Sequence, residues 1–310
     1  YSEHNKKRNM KGEQMQYGRK DIMIEQPRNK EGLTEKEFLA QYRAGDYERP
    51  SVTADILLFT VNPNLKNLCV LLVKRRNHPY MNCWALPGGF ININESAFTA
   101  ASRELREETG LKNIYLEQLH TYTQPSRDPR MRVISIAYMG LIPMKAAIAG
   151  DDAADAAWFS VTYDNNNLVF INKEKHVIIE YAVKQRYIKN GVVTYSKLIP
   201  LLKGEEKLAF DHCQIILDGL MKLQKDAELS DIVFNLVGET FTLPDLQKVY
   251  EIILGHNFSK EEFIEKIADT VFKTGVKGKS ICNGKTAELY TYIKNYKTYT
   301  VIQEKIINEK

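Results

Sequence analysis

Between Gly89 and Leu111 the chain reads GFININESAFTAASRELREETGL, a glycine loop followed by an acidic helical stretch. Five residues separate Gly89 from Glu95, and seven separate Glu95 from the run Arg103-Glu104-Leu105-Arg106-Glu107-Glu108-Thr109-Gly110-Leu111. Asn94 is the expected N-cap and Gly110 the expected stop just past the last turn. Ala97, Ala100, Ala101 and Leu105 supply a narrow apolar stripe. Glu104, Glu107 and Glu108 stand at i, i+3 and i+4, so their side chains converge on one helical face. Like charges at that spacing repel by roughly 0.2–0.5 kcal/mol per pair, and a bound cation reverses the sign. Mg²⁺ takes oxygen ligands, keeps several waters, and commonly binds one or two carboxylates plus substrate phosphate oxygens. A solvated face is the ordinary fate of an acidic run. Here the Pro87-Gly88-Gly89 turn, Glu95, Arg103 and Gly110 at fixed offsets point instead to a cation and a diphosphate.

The segment resembles the Nudix box, G-x5-E-x7-R-E-U-x-E-E-x-G-U with U aliphatic, and matches it at every defined position. The resemblance implies an α/β fold, an α/β/α sandwich with a mixed sheet in which the box forms a loop–helix–loop. It also implies hydrolysis of a nucleoside diphosphate linked to another moiety, with Mg²⁺ or Mn²⁺ as cofactor. By position, Glu104, Glu107 and Glu108 would be the metal-binding carboxylates, with Glu104 alternatively helping to deprotonate the attacking water. Arg103 would orient these glutamates and Glu95 would brace the loop. The carbonyl of Gly88 or Gly89 would be a further ligand.

Features outside the box narrow the subgroup. Gln124-Pro125-Ser126-Arg127-Asp128-Pro129-Arg130 precedes the apolar run Val133 to Tyr138, and is similar to a loop and strand of ADP-ribose pyrophosphatase-like Nudix proteins. Arg127, Arg130 and Arg132 are candidate substrate-binding residues, because guanidinium forks suit phosphate oxygens. In related enzymes a distal loop acid completes the metal site, which makes Asp151, Asp152 and Asp155 candidates. Phe210-Asp211-His212 resembles the start of the last Nudix helix, where His212 reads as a packed helix residue rather than a catalyst.

With 310 residues, two domains are expected. Residues 1–30 hold eight Lys and Arg against four Asp and Glu, which accounts for the whole net charge of +4. This basic segment reads as a flexible tail. Residues 31–226 are expected to form the Nudix domain and 230–310 a second unit. Gly32 to Tyr47 predicts a short helix entered at Thr34. Strands are expected over 51–61, 68–75, 116–122 and 133–142, and a helix over 211–225 capped by Asp211. A β insertion is expected near 160–209, with strands at 168–172, 176–184 and 192–196 and a hairpin turn at Asn190-Gly191. It suits a lid, a substrate-selecting element or a dimer support.

The last eighty or so residues predict a helix over 241–254, a second over 258–274 with Ser259 and Glu262 as a capping box, and a strand over 287–296. Helix, turn, helix and hairpin resemble the winged-helix domain of NrtR-type Nudix-related regulators. That resemblance implies DNA as a partner and the Nudix domain as a metabolite sensor. Against it, Glu261, Glu262, Glu265 and Asp269 outnumber Lys260 and Lys266 on the presumed recognition helix, an acidic face that repels a duplex. Lys273, Lys277, Lys279 and Lys285 follow on the next loop. The expectation is therefore a homodimeric hydrolase with a nucleoside diphosphate substrate, packing or dimerising through its winged helix. Four dispersed cysteines read as reduced thiols. No apolar run nears the roughly 20 residues of a membrane span, and no signal peptide is seen, so a cytoplasmic location is expected.

Overall fold

The computed structural model describes residues 26–112, 114–143 and 156–293. It divides into two compact units, with the boundary between Glu48 and Arg49. In the first, helix α1 spans Glu35–Gln41. Thr34 enters it as expected: its side chain accepts from the Glu37 amide, and Glu37 accepts from the Thr34 amide at 2.7 Å. The helix stops at Gln41, shorter than expected, because Tyr42 takes an extended conformation. None of its side chains is buried, so the cap rather than a packed face defines it.

The second unit opens with β1 (Ser51–Val61), buried along nine consecutive residues from Thr53. A strand covered on both faces reads as an unbroken apolar run, which is why its bounds were legible. There follow β2 (Leu68–Lys74), the short β3 (Trp84–Ala85) and β4 (Gly88–Phe90), and helix α2 (Ala97–Thr109). Next come β5 (Tyr115–Tyr122), β6 (Val133–Leu141), β7 (Ala156–Asp164), β8 (Asn167–Asn172), β9 (Val177–Asn190) and β10 (Val193–Leu202). The sheet order is β10-β9-β8-β7-β2-β1-β6-β5, with β3 on β2 and β4 on β1. β1 and β6 run parallel, with Ser51 opposite Val133 and Phe59 opposite Leu141, while the other pairs are antiparallel. The sheet is therefore mixed.

Helix α2 covers one face, where Ala100, Ala101 and Leu105 meet Ala54, Ile56 and Leu58. Helix α3 (His212–Leu229) covers the other, setting Ile215, Ile216 and Leu220 against Leu57 and Phe59. This is the expected α/β/α sandwich. The stretch after β7 does form strands, but β9 and β10 are longer than expected. From Lys184 to Lys197 the ribbon is exposed at nearly every residue, so it lacks the alternation that marks a half-buried strand. The hairpin turns at Gly191-Val192, between the paired Asn190 and Val193, with Gly191 at φ 62°.

The apolar cluster continues from α3 into a small second sheet with its helices. These are β11 (Phe241–Thr242), α4 (Leu243–Leu254), α5 (Lys260–Ile267), β12 (Val271–Lys279) and β13 (Thr286–Tyr292), in sheet order β11-β13-β12. The capping box of Ser259 and Glu262 is present. The helix expected over 258–274 ends at Ile267, however, and Val271-Phe272-Lys273 pair instead with Tyr290-Thr291-Tyr292 of β13. Val and Phe favour strand, and tertiary pairing outweighs their weak helical propensity. Helix, turn, helix and two-stranded wing make a winged helix. All four cysteines are free, and no described helix is long and apolar enough to cross a membrane.

Candidate active site

Helix α2 begins two residues later than expected. Ser96, not Asn94, is its N-cap, accepting from the Thr99 amide at 3.1 Å. The displacement has a local cause: residues 92–95 close a turn in which the Glu95 amide donates to the Asn92 carbonyl at 3.1 Å. Gly110 ends the helix as expected, at φ 71° with its amide on the Arg106 carbonyl.

Arg103 ties the loop to the helix. It donates to both carboxylate oxygens of Glu95, at 3.1 and 2.7 Å, to Glu104 at 2.8 Å, to Glu107 at 3.1 Å and to the Phe90 carbonyl at 3.3 Å. Glu95 also accepts from the Asn92 amide at 2.8 Å. These Arg103 bonds, with the Asn92 amide, hold the Glu95 carboxyl down at about 2. Glu108 turns the other way and accepts from the Gly88 amide at 3.1 Å. Burial pushes its pKa up to about 8, with the negative charges of Glu104 and Asp55 adding to the shift.

The carboxylate of Glu104 lies where a side chain at residue 89 would stand: a Cβ on Gly89 would come within 2.2 Å of it. A Cβ on Gly88 would meet the Ala54 carbonyl at 2.3 Å. Both glycines therefore allow a close approach, one of a carboxylate and the other of a strand. The donors gathered here are oxygens, and a cation beside the buried Glu108 would favour its charged form over the neutral one that burial favours. No group of three acidic, His or Cys side chains among the described residues closes round an ion. An open set of carboxylates on one face suits Mg²⁺, which retains several waters and takes few protein ligands.

Beside the glycines lies a cavity of about 190 Å³ on the α3 side of the sheet. Thr53, Asp55 and Val133 come from the strands, Phe210 and His212 from the start of α3, and Arg75 from the end of β2. Arg127 is buried beneath it. Its guanidinium takes Asp211 in a fork at 3.0 and 2.7 Å and reaches Asp55 at 3.2 Å. Asp211 therefore holds the cap position of α3 without capping it. Arg130 pairs with Asp128 at 3.1 and 2.7 Å and stands 5.5 Å from the Phe90 ring and 5.9 Å from the Phe210 ring. Arg132 donates to the Thr123 carbonyl at 2.6 Å and does not line the cavity. Of the three arginines singled out in the sequence, the cavity brings Arg127 and Arg130 together. Asp151, Asp152 and Asp155 lie outside the described residues.

Several lining residues, Arg75, Thr53 and Asp55 among them, were not singled out in the sequence. Arg75 stands 4.8 Å from the Phe210 ring, and burial followed by the neighbouring Arg130 charge lowers its pKa. Two guanidiniums stacked on one ring attract an anion. Phe210 itself holds φ 52°, unusual for a bulky residue. Only the approach of the loop before α3 to the end of β2 reveals this arrangement. His212 is buried, and burial lowers its pKa. Its Nδ1 accepts from the Leu86 amide at 2.8 Å, which leaves the proton on Nε2, 3.9 Å from Asp55.

The family model for the NUDIX domain matches residues 51–167, and that for the NrtR DNA-binding winged helix domain matches residues 233–292. The ADPR responsive transcriptional repressor NtrR of Acinetobacter baylyi is 29% identical over 261 residues, 84% of this chain and 88% of that protein. The ADP-ribose pyrophosphatase of Methanocaldococcus jannaschii is 38% identical over 159 residues, 51% of this chain and 85% of that protein. The crystal structure of Shewanella oneidensis NrtR complexed with a 27mer DNA superposes with a TM-score of 0.56 at 30% identity, covering 78% of this chain and 93% of that one.

Proposed function

We propose that this chain, which belongs to the Nudix family and carries an NrtR-type winged-helix domain, is a Mg²⁺-dependent hydrolase of ADP-ribose. The observation that supports this most is the intact Arg103 network, which holds Glu95, Glu104 and Glu107 beside Gly89 and leaves Glu108 on Gly88. Water attacks one phosphorus of the diphosphate, giving AMP and ribose 5-phosphate. When bound, Mg²⁺ (or Mn²⁺) polarises phosphoryl oxygens and lowers the pKa of a coordinated water. Glu104, Glu107, Glu108 and the Gly89 carbonyl would hold it. Arg103 fixes the carboxylates, and Arg75 and Arg130 hold the diphosphate. Arg127 acts through Asp55 and Asp211, bracing the cavity from below. Such a site works by positioning and charge neutralisation. The catalytic module lies within the unit that begins at Arg49, with the winged helix appended after it, and the protein works in the cytoplasm as a homodimer.

The test is Mg²⁺-dependent release of AMP from ADP-ribose, with Glu107→Gln alongside. Glu107 is half exposed and bonds only to Arg103 among the described residues. The variant should keep its melting temperature and lose most turnover. Full turnover in the variant overturns the assignment.

A second reading is an ADP-ribose-responsive DNA-binding regulator, favoured by the likeness to the A. baylyi repressor along 84% of this chain. The exposed cations that a duplex could meet include Lys273, Lys277 and Lys279 on the wing, Lys285 in its turn and Lys260 on α5. On α5, Lys266 sits 5.4 Å from the Tyr250 ring and Glu262 is spent on the cap. Tight duplex binding that weakens steeply with salt, together with little turnover, would favour this reading over the first.

A further inference from the structure

The cavity beside Gly88 and Gly89 changes character from rim to floor. At the rim, Arg75 and Arg130 share the Phe210 ring. At the floor, three polar functions lack partners among the described residues. The Thr53 hydroxyl is nine-tenths buried and makes no hydrogen bond. Asp55 uses only Oδ2 for its bonds to Arg127 and Ser135. Its Oδ1 faces the Gly88 side, 3.1 Å from where a Cβ on that glycine would stand. The proton on His212 Nε2 points toward Asp55 at 3.9 Å, beyond hydrogen-bond reach. All three residues line the same cavity.

An unpartnered buried hydroxyl is costly, so Thr53 carries a standing cost that a suitable ligand removes, and Asp55 Oδ1 and His212 Nε2 beside it have hydrogen-bonding capacity to spare. The ligand's chemistry follows from theirs. One guanidinium, that of Arg127, serves two carboxylates, Asp55 and Asp211. The floor is therefore anionic and repels phosphate. A carboxylate oxygen accepts hydroxyl protons, an imidazole N–H donates to hydroxyl oxygens, and a threonine hydroxyl does both. Adjacent hydroxyls on a neutral ring meet all three demands.

We infer that Thr53, Asp55 and His212 form a subsite for the hydroxyl pair of a sugar, with the anionic part of the same ligand held at the rim by Arg75 and Arg130. This rests on the nucleoside diphosphate–sugar reading above and makes these three residues the selectors for its sugar.

The test is calorimetric binding of ADP-ribose, ADP and inorganic pyrophosphate to the full chain, as the parent, Thr53→Val and Thr53→Ser. Valine keeps the shape and removes the hydroxyl. It should weaken ADP-ribose about tenfold, whereas serine should stay within roughly twofold of the parent. Pyrophosphate binding should not change. The melting temperature of Thr53→Val should hold or rise, because an orphaned hydroxyl is lost; a structural hydroxyl would lower it. Weakened ADP binding would assign the subsite to the nucleoside ribose, and unchanged ADP binding to the terminal ribose. Unchanged ADP-ribose affinity in Thr53→Val, an equal loss for pyrophosphate, or a lowered melting temperature overturns the inference while the substrate reading stands. A parent chain that does not bind ADP-ribose overturns both.

Discussion

Gly89→Ala separates catalysis from folding at one atom. The φ of Gly89 is not in the left-handed region, so alanine is allowed there by the backbone. The added Cβ would stand 2.2 Å from Glu104 Oε1, 2.5 Å from its Cδ and 2.8 Å from Oε2. Ordinary contact begins near 3.4 Å, so the carboxylate must retreat by about 1 Å or swing away from Arg103. A misplacement of that size can cost about a hundredfold in rate. The obstacle is the far end of a long side chain, so the fold can relax and the melting temperature should barely move. Gly88→Ala provides the contrast. Its φ is 151° and its Cβ would meet the Ala54 carbonyl at 2.3 Å, a strand atom that cannot step aside. That variant should unfold at markedly lower temperature. The assay is turnover of ADP-ribose with Mg²⁺, alongside differential scanning calorimetry of both variants. Parental turnover in Gly89→Ala would refute the role given to the placement of Glu104. A melting temperature as low as that of Gly88→Ala would refute the claim that the clash is absorbed by a side chain.

Arg127→Met should destabilise the protein by about 3 kcal/mol in chemical denaturation, because it strands the Asp55 and Asp211 carboxylates; the low end of the usual range applies since Asp211 is a quarter exposed. His212 has a folded pKa below that of the unfolded chain, so the unfolded state binds the extra proton and stability falls as pH drops below about 6.5. Melting curves at about pH 7.5 and pH 5.5 should converge in His212→Asn relative to the parent, and an unchanged difference would exclude His212 as its source. Asp245 accepts from Thr242, Ser280 and the Ile281 and Cys282 amides, joining the start of α4 to the wing turn. Asp245→Ala should cost roughly 2–3 kcal/mol and, if the two modules work independently, leave ADP-ribose turnover near parental under conditions where the variant is folded.

What the sequence disclosed follows from how far apart the interacting residues are. The box is local. Glu95 and Arg103 lie eight residues apart, and Arg103 bonds to Glu104 and Glu107 within a turn, so pattern and helical geometry suffice to place them. β1 was equally legible because both its faces are covered. The floor of the cavity is not local. Arg127 reaches Asp55 across 72 positions and Asp211 across 84, and the Leu86 amide meets His212 across 126. In sequence Arg127 was one of three loop arginines equally suited to phosphate. Only the fold commits it to two carboxylates and leaves the rim to Arg130 and to Arg75, which no motif marked. The errors at helix ends have the same origin. Asn94 and Ser96 both suit a cap, and the turn closed by Glu95 decides between them. The tail of α5 continues a helical pattern in sequence, but β13 recruits Val271 to Lys273 as a strand. Where a residue's partner is a neighbour in the chain, its chemistry can be read in advance. Where the partner arrives from another strand, the same residue type supports several roles until packing selects one. The sugar-binding floor proposed for Thr53, Asp55 and His212 belongs to the second class, and no box pattern would have found it.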